Sequence, residues 1–312
     1  MVLSSNGRSI VVIGSTGVQG SSVINALEKS DKQYKVLAVT RDTSKPAAQK
    51  LAERGCNLVQ GDVSSDEGVD ELFKQAGTDI EVLFGVTNFW EHMDKQKEVA
   101  DGKRLVDKAK SNNVKLFIWS GLESVSETTK GEITHVDHFD GKHEVTKYAQ
   151  QVGLPTIVVE AGCYASNFLT MLAPRKTEHG LMFAMPMSPK TVMSLVDTQE
   201  DYGKFVRAAL ENDQFKPGSE LLACAEELTI EDVVAQFNEV TGQNAQFYQM
   251  PEDQFLQAAG PVGREMLAML QWFERYGYFG GKDVKPSQSG VSDHLTTWKE
   301  FVKKSDWSQV LA

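Results

Sequence analysis

Three glycines and a handful of polar side chains carry the chemistry of this chain. Gly14-Ser15-Thr16-Gly17-Val18-Gln19-Gly20 has the spacing of a loop that holds a pyrophosphate. The first glycine permits a tight turn, and the second lets backbone N–H groups approach phosphate oxygens. The third lets the following helix pack closely on the strand before it. Unpaired N–H groups opening that helix then receive the phosphate charge. About 20 residues further on, an NAD site shows Asp or Glu, which accepts from the ribose 2′-hydroxyl. Here the segment reads Thr40-Arg41-Asp42-Thr43-Ser44-Lys45. The forked guanidinium of Arg41 suits a 2′-phosphate, and Lys45 adds a second positive charge. The expected cofactor is therefore NADP(H). Gly61-Asp62 is placed to meet the adenine, and Thr87-Asn88-Phe89-Trp90 to lie beside the nicotinamide half. Local packing explains Phe89 and Trp90 as well, and for Trp90 it is the preferred reading.

One common hydride-transfer arrangement places a Tyr four residues before a Lys, so that both share one helical face. The Lys lowers the phenol pKa, and a Ser stands nearby. Ser120 ends an apolar run in the right place, and Lys142 is the candidate lysine, but His138 occupies the tyrosine position. Gly141 argues against a regular helix across this stretch. His138 reads three ways: a general acid, a residue of a polar loop, or a partner of His135 and His143 around a metal. The loop reading is preferred, and neither spacing nor cysteines support a closed metal site. Tyr148 is on the wrong helical face relative to Lys142, whereas Tyr164 is a better-placed phenol that could equally cap the pocket.

These residues need elements to position them. Strands are predicted at Ser9–Ile13, Lys35–Thr40, Asn57–Gln60, Glu81–Val86, Lys115–Ser120 and Thr156–Glu160. Helices are predicted between them, over 19–29, 46–54, 66–75, 96–111 and 142–151. Such alternation specifies a doubly wound α/β fold with a parallel sheet, whose strand C-termini share one ligand-binding edge. After about Gly162 the pattern changes. Pro174–Lys190 reads as a loop rich in Met, Pro and Gly, with Met182, Met185, Met187 and Met193 as pocket or core residues. Short strands follow at 191–195, 220–225 and 245–250, with helices at 198–211, 230–241, 265–276 and 295–304.

The composition excludes several roles. The chain has 32 Lys and Arg against 43 Asp and Glu, a net charge of −11, which disfavours nucleic acid and anionic membranes as partners. No apolar run approaches the roughly 20 residues that span a bilayer. Cys56, Cys163 and Cys224 form neither a disulfide framework nor a metal knuckle, so a reducing compartment is expected.

The motifs GSTGVQG, VTRD, VQGD and TNFWE resemble the NmrA-like family of atypical short-chain dehydrogenases. So do SGLES (120–124), HFDGKHEVTKY (138–148) and CYASNFL (163–169); within the family the redox-sensor branch is the most similar. The resemblance implies a Rossmann-like NADP-binding domain over residues 1–160 and a smaller, partly interleaved α/β C-terminal lobe over 161–312. It implies cofactor contacts at Gly14, Ser15, Thr16, Gly17, Val18 and Gln19, then at Arg41, Asp42 and Lys45. Further contacts fall on Asp62 and Val63, on Thr87, Asn88 and Phe89, on Lys142, and on Tyr164, Ala165 and Asn167. The expected function is a cytoplasmic sensor of the NADPH/NADP ratio acting through protein partners, with a nuclear fraction left open. The alternative is an NADPH-dependent reductase of a small carbonyl or enone substrate, with Lys142, His138 or Tyr164 handling the proton. Either a monomer or a homodimer fits, and no metal is expected.

Overall fold

The structure, a computed structural model, describes residues 3–4, 6–178 and 180–311. The opening Met1–Arg8 segment and the loop expected over Pro174–Lys190 therefore lie partly outside the described residues. In β1 (Arg8–Val12), Ile10 and Val12 join one buried cluster with Val36, Phe84, Ile118 and Val159. Val11 and the following Ile13 join another, with Leu37, Leu83, Phe117 and Trp119. Successive strand residues point to opposite faces. Both faces are thus covered, which is why the strands read as unbroken apolar runs.

The chain continues through α1 (Val18–Glu28), β2 (Tyr34–Thr40), α2 (Pro46–Glu53), β3 (Asn57–Gln60) and α3 (Asp66–Ala76). It then forms β4 (Val82–Gly85), α4 (Lys95–Ser111), β5 (Leu116–Trp119), α5 (Val125–Thr128), α6 (Asp137–Gln151) and β6 (Thr156–Ala161). A seventh strand, Glu220–Ala223, returns from the C-terminal half and pairs with β6. The order is Glu220–Ala223, β6, β5, β4, β1, β2, β3, with all neighbours parallel. The strand order therefore reverses between β1 and β4, which puts the ligand crevice beside the loop after β1. One face is covered by α1 against the Tyr202–Glu211 helix, the other by α4 against α6.

Two expectations are corrected. First, α6 begins at Asp137, so His138 is a helical residue and not part of a polar loop. Gly141 does not break the helix. It lies against α4, where a Cβ would approach Glu98 Cγ to 3.2 Å, so its small size serves the close contact. Second, the stretch expected as a loop over 174–190 contains strands Arg175–Thr177 and Gly180–Met185, which pair with each other, the latter also pairing with Gln246–Gln249 in a small sheet. Leu181, Phe183 and Met185 alternate inward along it. Met185, Met187 and Met193 fill the core of the C-terminal half beside Phe168, Phe237 and Trp298. A second small sheet joins Glu226–Thr229, Val192–Val196 and Cys163–Tyr164. No helix among the described residues is long and apolar enough to cross a membrane.

Candidate functional site

The loops leaving β1 to β6 enclose a cavity of about 840 Å³ at the C-terminal edge of the sheet. Gly14 turns the chain with φ +62°, and a Cβ on Gly20 would lie 2.3 Å from the Gly14 carbonyl oxygen. Only glycine lets the helix start that close to the strand. Helix α1 has no side-chain cap and no acidic residue in its first turn. In contrast, α3 carries Asp66 and Glu67 there, with Ser65 as its cap. The positive end of α1 is thus left for an anion. Gly14, Thr16, Gly17, Val18, Gln19 and Gly20 all line the cavity. Ser15 does not, because its hydroxyl donates to the Val39 carbonyl at 2.8 Å and ties the loop to β2. Gln19 Nε2 donates to the Tyr164 hydroxyl at 2.8 Å. Its buried Oε1 has no hydrogen-bond partner among the described residues.

Arg41 lines the cavity and meets Glu91 at 2.6 Å, a carboxylate on the short turn Phe89–Glu91. Asp62 and Val63 also line it. Burial pushes the Asp62 carboxyl up, but hydrogen bonds from Ser64 and the charges of Arg41 and Lys97 hold it below its ordinary value. Asp42 and Lys45 lie outside the lining. Asp42 Oδ1 accepts from the Ser44 N–H at 2.9 Å in a local turn, and Lys45 is an exposed residue at the start of α2. Asn88, Phe89 and Asn167 line the cavity, whereas Ala165 is buried behind it. Trp90 lines it too and packs on the His138 ring at 4.9 Å, so local packing is not its whole role.

At the centre of the cavity wall, Lys142 Nζ donates to the Thr87 carbonyl and hydroxyl, both at 3.0 Å, and contacts Glu98 Oε1 at 2.7 Å. The Thr87 hydroxyl donates to the same Glu98 oxygen at 2.7 Å. Glu98 is fully buried. Sequence reasoning missed Glu98, although a signal was present. On α4 the buried residues are Glu98, Asp101, Gly102, Leu105, Val106 and Ala109, one helical stripe whose first two members are acids.

His138 stands one turn before Lys142 and also lines the cavity. Its Nδ1 contacts Glu265 Oε1, and the Glu265 carboxylate further accepts the N–H groups of Asp137 and His138, both at 3.1 Å. Burial raises the Glu265 carboxyl, but the imidazole and these two amides more than offset it and hold the group low. The Tyr164 phenol is pushed up to about 12, chiefly by burial. Met266, Met269, Phe273 and Tyr278 from the C-terminal half complete the apolar wall, together with Met171 and Leu172. Nothing local in the sequence linked Glu265 to His138, more than 120 positions away.

The family model described as the NmrA-like family matches residues 6–302. The chain belongs to the NmrA-like family. This NmrA-like chain is 27% identical over 305 residues to the NmrA-like family domain-containing oxidoreductase ptmS of Penicillium ochrochloron, covering 92% of this chain and 89% of that protein. It is 26% identical over 309 residues to an NmrA-like family domain-containing protein of Dictyostelium discoideum, covering 96% and 98%. Among solved structures it is similar to NmrA, a negative transcriptional regulator, in complex with NADP. The TM-score is 0.78 at 21% identity, with 96% of this chain and 95% of that one covered. NmrA has also been solved with NAD. The NADPH-dependent quinone oxidoreductase of Escherichia coli, complexed with NADPH, has a TM-score of 0.73 at 21% identity, over 94% and 98% of the two chains. At such identities these structures share the fold.

Proposed function

We propose that this NmrA-like protein binds NADP(H) and works as an NADPH-dependent reductase of an apolar carbonyl, quinone or enone compound. The observation that carries the reading is the helical placement of His138. It occupies the position of a proton-donating phenol, in the wall of the cavity opened by the glycine loop. The residues present fit a dinucleotide. The uncapped α1 and the glycine approach at Gly20 form a cradle for a pyrophosphate, and the orphaned Gln19 Oε1 awaits a donor. Gly14 to Gly20 would hold the pyrophosphate, Arg41 the 2′-phosphate and Asp62 with Val63 the adenine. Thr87, Asn88, Phe89, Lys142, Tyr164 and Asn167 would surround the nicotinamide half. Bound there, NADPH supplies a hydride. The methionine and aromatic wall excludes water and receives a flat apolar substrate. The oxidoreductase names of relatives and the quinone reductase neighbour support this class.

The redox-sensor reading rests on a different observation, the Arg41–Glu91 contact. A 2′-phosphate would compete for Arg41 and release the turn that carries the half-exposed Trp90. NADPH oxidation followed at 340 nm over a panel of quinones, enones and ketones separates the two. Saturable, protein-dependent oxidation with a panel member is expected. Absence of turnover, with NADPH still changing Trp90 fluorescence, would overturn the reductase reading in favour of the sensor.

A further inference from the structure

We infer that His138 and Glu265 form a proton-delivering pair, with Glu265 fixing the ring so that Nε2 faces a substrate oxygen in the cavity. The inference rests on the reductase reading and names the group that would complete its reaction. Three observations carry it. The ring is oriented. Its Nδ1 is held by the Glu265 carboxylate, and its faces and edges pack on Trp90 at 4.9 Å, Phe139 at 4.8 Å and Phe89 at 5.7 Å. The carboxylate is itself fixed by the N–H groups of Asp137 and His138, at the positive end of α6. Nε2 has no hydrogen bond among the described residues, and the ring lines the cavity.

The competing donors are occupied or unsuited. The three protons of the Lys142 ammonium are taken by Glu98, the Thr87 carbonyl and the Thr87 hydroxyl. The Tyr164 hydroxyl accepts from Gln19 with its own proton uncommitted, but burial makes that proton hard to release. With Nδ1–H given to a carboxylate, His138 can carry its second proton on Nε2 while its charge stays balanced. Reduction of a carbonyl breaks the C=O π bond, and the carbon gains a hydride with its electron pair from the nicotinamide cofactor. The oxygen gains the Nε2 proton, leaving His138 neutral with Nδ1–H still on Glu265, and solvent returns the proton. Glu265 belongs to the Gly263–Tyr276 helix, so the donor exists only when the C-terminal half is seated on the sheet edge.

The pair is tested in the full chain with His138→Phe, Glu265→Gln and Glu265→Asp. The two helix amides bond different carboxylate oxygens, so the glutamine loses the charge and one amide contact, whereas the aspartate keeps the charge and both oxygens. In cofactor-free protein labelled with 15N-histidine, the His138 Nδ1 proton should resonate far downfield. That signal should vanish in H138F, move upfield in E265Q and be retained in E265D. With NADPH and 9,10-phenanthrenequinone, H138F should lower kcat by on the order of 10²–10⁴-fold with KM little changed. E265Q should fall between H138F and wild type, and E265D should recover most of the loss. A ring signal indifferent to E265Q overturns the pair, and H138F at the wild-type rate overturns the donor role. A wild-type protein that shows the ring signal but reduces no quinone overturns the reductase reading and the donor role together.

Discussion

Lys142 shows how far a side chain's type can differ from its use. Its ammonium is saturated by Glu98 and Thr87, and Glu98 is wholly buried. Removing the cation leaves a buried carboxylate without its partner, so Lys142→Met should cost about 3–5 kcal/mol in urea unfolding. The double variant Glu98→Gln/Lys142→Met should recover most of that loss, and strictly additive costs would contradict the pairing. Loss of activity in a lysine variant alone would therefore say little about chemistry. At this scale the sequence was informative where residues are close along the chain. The glycine loop, Arg41 and the four-residue spacing of His138 and Lys142 follow from local rules of turn and helix geometry. Glu98 was readable only as a charge in an apolar stripe. Glu265 was not readable, because tertiary folding alone brings it to the start of α6.

At the scale of elements, the seventh strand binds the two halves of the chain and carries an electrostatic cost. Glu160 on β6, Glu220 on the neighbouring strand and Glu123 after β5 gather with their oxygens within 4.8 Å, and Lys282 contacts Glu123 and Glu220. Burial, and then Glu220, push the Glu160 carboxyl well above its ordinary value, against the pull of Lys282. A raised carboxyl binds its proton in the folded state. Its stabilising contribution is therefore full below the ordinary glutamate pKa of about 4.3 and is lost as pH rises. Glu160→Gln should match the wild-type melting temperature below about pH 4 and exceed it progressively toward about pH 8. Parallel curves would contradict this. The strand at Glu220–Ala223 was legible as a short apolar run, but its place in the main sheet was not, since pairing is decided by the fold. The small-sheet strands at 175–185 were hidden by Pro, Gly and Met, and only the alternation of Leu181, Phe183 and Met185 marked them.

For the whole molecule, the net charge of −11 and the cations of one cavity have to be reconciled. Arg41, Lys97 and Lys142 all reach the cavity wall, yet each already has an acidic partner: Glu91, Asp101 and Glu98. Lys45 stays outside the lining, so in the proposed NADP(H) site discrimination for a 2′-phosphate would fall on Arg41, which would have to share or leave Glu91. The long-range repulsion of an acidic protein makes that local recognition decisive. Titration calorimetry of NADPH and NADH against wild type and Arg41→Ala tests this central claim most directly. NADPH should bind wild type at least about tenfold tighter than NADH, or about 1.4 kcal/mol, and the preference should collapse in R41A. Equal affinities in wild type, or a preference that survives in R41A, would contradict the account.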